Sequence, residues 1–382
     1  MALMNPAEPQ VRPASGFALF ALGFRPLYLL AGLYAALSVP LWALQFAGWL
    51  PGANPLWHAH EMLFGYAFAV IAGFLLTAVR VWSGKPTPTG WPLALIAGLW
   101  VLSRIVALQS LQVSAWIDLA FAAAVAIGIG RPLVASGNRR NWFFIGLMLI
   151  LGVASIAFTR YSRIGLYVGL DVVLFIMAVM GGRVIPAFTN SAIQGAGARR
   201  NRIVEYGSLG LLLLLLLFDL LELFVPAAIV CLVAAAFHAA RLALWSPWAT
   251  RTRPILWILH LSYAWVVVHL VLRGLTGFDL IASGFATHAL TVGAIGGLTL
   301  GMMTRTSRGH TARPLKVGGA EIAAYVLVHL AAFVRVFMPL VLPDAYVVLV
   351  VVSGALWLVA FALFTVVYFP ILSRPRLDGQ PG

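Results

Sequence analysis

Residues 57–65 read Trp57-His58-Ala59-His60-Glu61-Met62-Leu63-Phe64-Gly65, so two imidazoles, a carboxylate and a thioether stand at the head of a long apolar run. Lipid does not select such groups: ionisable side chains at membrane depth are costly and mark a site by default. Neutral imidazole is the commonest metal ligand, and haem iron or copper is a metal that histidine and methionine suit. His238, His260, His269, His288 and His329 lie in other apolar runs of the chain. A helix separates His58 from His60 by about 200 degrees, so the two cannot face one iron. One is expected to serve the metal, and the other to cap the helix or meet a second metal.

His288 opens a run carrying Gly293, Gly296, Gly297 and Gly301. The four-residue spacing of Gly293 and Gly297 brings helices together and leaves a smooth face beside the histidine for a flat macrocycle. His260 and His269, nine apart, face opposite sides of their helix and cannot share a metal. His238 and His269 read as lone intramembrane histidines bonded to a neighbouring carbonyl, whereas His260 and His329 stay open as ligands. Glu61 and Glu205 are candidate proton donors. Arg104 and Asp118 are placed to form an ion pair, and Asp219 with Glu222 could begin a proton path. Arg183 and Arg305 set topology at inner helix ends and are candidate partners for a haem propionate.

The elements that must hold these groups follow from composition. Of 382 residues, 62% are apolar and 9% charged, more apolar surface than a soluble domain can bury. The net charge of +14 sits singly or in pairs between apolar segments, which excludes a nucleic-acid stripe and fits the positive-inside rule. The lone cysteine, Cys231, rules out a disulfide and a C-x-x-C-H attachment, so any haem is non-covalent haem b, in one or two copies. No removable signal peptide is seen, so the first span is expected to stay. There is no P-loop, no H-E-x-x-H and no dinucleotide fingerprint.

About twelve spans are expected in an all-α polytopic bundle. They run near 17–46, with a non-spanning start expected at Gly23-Phe24-Arg25-Pro26, then 57–79, 91–108, 114–130, to 159, 165–186, through the leucine run 211–217, then 226–245, 254 onward past His269, 280–303, 320–340 and 345–369. Residues 1–16 form a cytoplasmic segment, 17–370 a single transmembrane domain and 371–382 a cytoplasmic tail. With both termini inside, the Lys and Arg on the outer half are Arg104, Arg160, Arg163, Arg273 and Arg335. His58, His60 and His288 then lie toward the outer side, and His238 and His260 deeper toward the cytoplasm. An internal echo links helices two, six and ten: His60 then Gly65 and Thr77, His288 then Gly293 and Thr304, and Gly182 then Thr189. It would divide the bundle into three four-helix units.

The motif at 57–65, with Phe24-Arg25-Pro26 before it and Ala72-Gly73-Phe74-Leu75-Leu76-Thr77-Ala78-Val79 after it, resembles the NnrS family. The resemblance continues at Gly182-Arg183-x-x-Pro186-x-Phe188-Thr189-Asn190, His260-x-x-Tyr263-Ala264-Trp265, residues 288–296 and Met302-Met303-Thr304-Arg305-x-Ser307-x-Gly309-His310-Thr311. It implies a bacterial inner-membrane protein of the nitric oxide response that binds haem, with copper. A fainter similarity is to the catalytic subunits of haem-copper oxidases and nitric oxide reductases, and implies His58 and His288 as axial ligands of one haem. Helices six and seven here lack the copper histidines of that superfamily, and Ala286 stands where its active-site haem ligand would be. A second metal must be built otherwise, from His60 or from His260 and His329. The expected function is binding and reduction of nitric oxide, the electron donor being open; the alternatives are a non-catalytic sensor or sink, and a metal or small-molecule transporter.

Overall fold

The computed structural model describes residues 16–52 and 54–380; most of the expected segment 1–16 lies outside them. Among the described residues there are twelve long helices and no strand. They are α1 Phe24–Phe46, α2 Pro55–Ser83, α3 Trp91–Ala107, α4 Leu111–Ala135, α5 Phe143–Arg160, α6 Ser162–Ala192, α7 Arg202–Leu220, α8 Phe224–Leu244, α9 Pro254–Gly277, α10 Ser283–His310, α11 Gly319–Val336 and α12 Tyr346–Ser373. Eleven of the helical segments are long and apolar enough to cross a membrane, and α3 is a shorter apolar helix. In lipid only helices and closed barrels satisfy every backbone group internally, so apolar sequence of this length becomes a bundle.

Local signals set the helix ends. The Asn54 side chain accepts from the Leu56 and Trp57 amides at 3.0 and 3.2 Å, and Pro55 follows at the first helical position, starting α2. Gly84, at φ 64°, stops it, because only glycine takes that left-handed turn without strain. Ser110 and Asn201 cap α4 and α7 the same way.

Consecutive helices pack side by side, and α12 returns against α1 to close the ring. The apolar core of α2 is 83% buried, against 22% for α7 at the rim, so α2 is the inner post of the bundle. It touches α1, α3, α4, α5 and α6, while α10 packs on α1, α9, α11 and α12. The α2 and α10 N-termini share one end of the bundle, the histidine end.

The largest departures from the expected boundaries are three, while α4 also runs five residues past Gly130 to Ala135. α1 begins at Phe24 rather than Phe17, its first amide bonded to Thr77 Oγ1 at 3.0 Å and Arg25 buried, donating to the Leu372 and Arg374 carbonyls. α6 runs on through Thr189 and Asn190 to Ala192. α10 continues to His310 where a loop from Thr304 is expected. Its polar side chains are satisfied on the helix itself or on a neighbour: Thr304 Oγ1 donates to the Leu300 carbonyl at 2.8 Å, and Arg305 lies 3.7 Å from the centre of the Phe188 ring of α6.

Both histidine-bearing helices carry one irregularity. Residues Glu61–Ala67 of α2 and Ala289–Gly296 of α10 are π-helical, each segment starting directly after a histidine. An extra residue per turn re-aims the turns before it, a device concentrated at functional sites. Glycine permits it: Trp100 donates to the Gly65 carbonyl at 2.9 Å, and a side chain at Gly293 would enter the Trp265 indole. The sequence echo between helices two and ten is therefore matched in backbone geometry, whereas α6 is α-helical throughout.

Candidate functional site

The two π segments place His58 and His288 on the wall of one cavity of about 310 Å³ at the histidine end, between α1, α2, α6, α10, α11 and α12. That volume is at the lower edge of the roughly 300–1,000 Å³ usual for ligand sites. Its lining is apolar and aromatic, with Trp42, Met62, Tyr66 and Trp357 among the walls. His288 Nδ1 lies 2.6 Å from the Gly284 carbonyl. A carbonyl can only accept, so Nδ1 carries the proton and Nε2 is left bare, the form in which imidazole ligates a metal. His58 stacks on Trp42 with ring centroids 4.1 Å apart and planes 17° from parallel. Its Nδ1 is buried without a hydrogen-bond partner among the described residues. A buried nitrogen left unpaired is costly unless something fills the space before it.

Arg335 supplies the third feature. It lines the same cavity and is 7% exposed, yet among the described residues no carboxylate pairs with it. Its guanidinium donates to the Tyr346 hydroxyl at 3.1 Å and lies 5.2 Å from the centre of that ring. The other two buried arginines of this end are neutralised. Arg104 bonds Glu61 at 2.8 Å and Asp118 at closer range, and Arg273 bonds Asp171 at 2.6 Å and Asp219 at closer range. A buried cation without an anion calls for a negatively charged group in the space it faces.

The half-turn between His58 and His60 is realised. His60 points away from the cavity and is fully buried; Nδ1 meets Glu61 at 2.8 Å and Nε2 meets Ser155 Oγ at 3.0 Å. Both nitrogens are thus engaged by protein. Glu61 also accepts from Arg104 and Tyr34, so His60, Glu61, Arg104 and Asp118 form one buried charge network that ties α2 to α1, α3, α4 and α5. The expected Arg104–Asp118 pair is part of it.

The other candidates lie apart. His260 Nε2 is 3.0 Å from Thr189 Oγ1, and His329 Nδ1 accepts from Trp265 at 3.2 Å. With His60 they face three different sets of partners, and among the described residues no group of three His, Cys, Asp or Glu is placed to hold a metal ion. His269 Nδ1 donates to the Ala286 carbonyl at 2.8 Å, the arrangement expected of a lone histidine, while His238 meets the Tyr263 hydroxyl instead. Glu205 is held by both Arg241 and Arg200 at the opposite end from the cavity. Arg183 donates to Asn141 at 2.7 Å and Arg305 lies on Phe188, so neither lines the cavity, whereas Arg335 does.

Arg335, Tyr346, Trp42 and Trp357 were missed by sequence reasoning. Only Arg335 had a usable signal, as one of the few arginines on the outer half. No curated protein matches the chain. A family model described as NnrS protein matches residues 18–376.

Proposed function

Because this chain belongs to the NnrS family, membrane proteins associated with the nitric oxide response, we propose that it is an inner-membrane haem protein that binds nitric oxide and, given electrons, reduces it. The single observation that carries the haem reading is Arg335, with no carboxylate partner among the described residues, on a wall shared with His58 and His288. A cofactor with a flat apolar body, metal affinity for imidazole and an anionic edge suits all three. The residues fit the group: a bare Nε2 on His288, an unpartnered nitrogen on His58, aromatic walls and a cation. When bound, haem would supply a one-electron centre, and nitric oxide would take the place of one of the two histidines.

The chain's own contribution is positioning and exclusion. The Gly284 carbonyl fixes the tautomer and ring orientation of His288, and the Trp42 stack fixes the plane of His58. Arg335 would clamp a propionate and set which way round the macrocycle sits. Tyr66 lines the cavity with its hydroxyl 2.5 Å from Thr299 Oγ1, among walls that are largely apolar. Nitric oxide is small, uncharged and lipid-soluble, so it reaches such a site without a polar channel. Copper has no such support among the described residues.

The test is a reduced-minus-oxidised optical spectrum of detergent-purified protein with a haem count per chain, repeated after adding nitric oxide. Wild type should give b-type bands that shift with nitric oxide, and His58→Ala and His288→Ala should each lose haem while still inserting. Wild-type haem content in both variants would overturn the assignment.

A further inference from the structure

A second cavity, of about 860 Å³, adjoins the first at the histidine end, between α2, α5, α6, α7, α8, α9 and α10. Ala59 and Leu166 line both, so a wall one side chain thick separates them. The charged groups lining this second cavity are Arg273 and Asp219 on one side, with Arg163 and Asp279 elsewhere on the wall. Arg273 and Asp219 line it, and Arg273 lies 4.7 Å from the centre of the Tyr167 ring, which lines it too. Behind them Asp171, with 2% of its side chain exposed, bonds Arg273 at 2.6 Å and keeps its other oxygen without a partner among the described residues. Two carboxylates thus share the Arg273 guanidinium, while the Arg163 guanidinium lies 5.8 Å from the centre of the Tyr167 ring and 4.1 Å from that of Phe224. The rest of the wall is largely apolar and reaches Phe224 and Val225, which are exposed on the outer face of α8.

We infer that this cavity takes the head group of a lipid-soluble quinol, the electron donor for the reaction proposed above, on which this inference rests. A quinol needs a carboxylate to receive its hydroxyl proton, a cation to hold the carbonyl that forms, an aromatic face to stack on, and an apolar way in for its tail. Asp219, Arg273, Tyr167 and the Phe224–Val225 rim supply these in turn. Oxidation breaks the two O–H bonds of the quinol, releasing two protons and two electrons and leaving the quinone. Two nitric oxide molecules consume them: one N–N bond forms, one N–O bond breaks, and nitrous oxide and water leave. Asp219, which faces the cavity, takes the first proton, and the thin wall at Ala59 and Leu166 gives electrons a short path to the cavity of His58 and His288.

The probe is decylubiquinone, its binding to the full-length purified protein measured by equilibrium dialysis. The same measurement on haem-free His288→Ala protein separates this inference from the haem reading. Saturable binding in both proteins, weakened at least about tenfold by Arg273→Lys, the loss that goes with one hydrogen bond to a charged group, supports the site. Ser283→Trp, at the exposed mouth of the cavity, should weaken it comparably without touching the ion cluster, which guards against misfolding of the arginine variant. Haem reduction by decylubiquinol should slow in both variants, while dithionite still reduces the haem fully. Absence of saturable binding, as for a cavity that takes only a phospholipid head group, overturns the proposal, as does binding unchanged in both variants.

Discussion

Replacing Arg335 by methionine should act with opposite weight on the empty and the loaded protein. In the empty protein the change removes one hydrogen bond to Tyr346 and one ring contact, and it strands no carboxylate. The loss is about 1 kcal/mol for the hydrogen bond, offset by relief of a buried charge that lacked an anion, so folding stability should hold or rise. In the loaded protein the same change removes a charge-assisted bond to a ligand carboxylate, about 1.5–3 kcal/mol, or roughly ten- to hundredfold weaker haem retention. Arg104→Met is the control, because it leaves Glu61 and Asp118 buried without their cation and should cost about 3–5 kcal/mol whether or not haem is present. Thermal unfolding in detergent measures stability, and titration of haem into the apoprotein measures retention. If apo Arg335→Met were destabilised as much as Arg104→Met, or if its haem affinity matched wild type, an anion facing Arg335 would be the wrong explanation of that residue.

His60→Ala should leave the haem spectrum unchanged while lowering stability by about 1–3 kcal/mol, since Glu61 keeps Arg104 and only the bonds to the imidazole are lost; loss of a bound metal from this variant would return His60 to the list of ligands. Gly293→Val drives a side chain into Trp265, at the packing of α10 on α9, and should cut the yield of folded protein sharply, as followed by size-exclusion chromatography of detergent extracts.

The helices were legible because lipid demands uninterrupted apolar runs of spanning length, and each of the twelve expected runs contains one. The misjudged ends share a cause: Thr304, Arg305 and Thr189 look like loop residues, yet each satisfies itself on its own helix or on a neighbouring side chain. His58 and His288 stood out because histidine is rare and expensive in such surroundings. Trp42 and Trp357 did not, since the chain has 13 tryptophans and 23 phenylalanines and nothing in their spacing ties α1 or α12 to α2. Asp171 lies in an apolar run, and its partner Arg273 is 102 positions away, a pairing that only the packing of α6 on α9 creates.

The wall of the histidine cavity starts at Val39 and is completed at Trp357. That span governs biogenesis. As the chain emerges, His58 and Trp42 enter the membrane early, while the facing His288, Arg335 and Trp357 are supplied only when the last three helices follow. No nascent chain that stops before α12 owns the pocket, so on the proposed reading cofactor capture follows insertion of nearly the whole polypeptide. The return of α12 onto α1 then serves as the closing step of assembly, and a protein truncated before that helix should be inserted, apolar and permanently unable to mature.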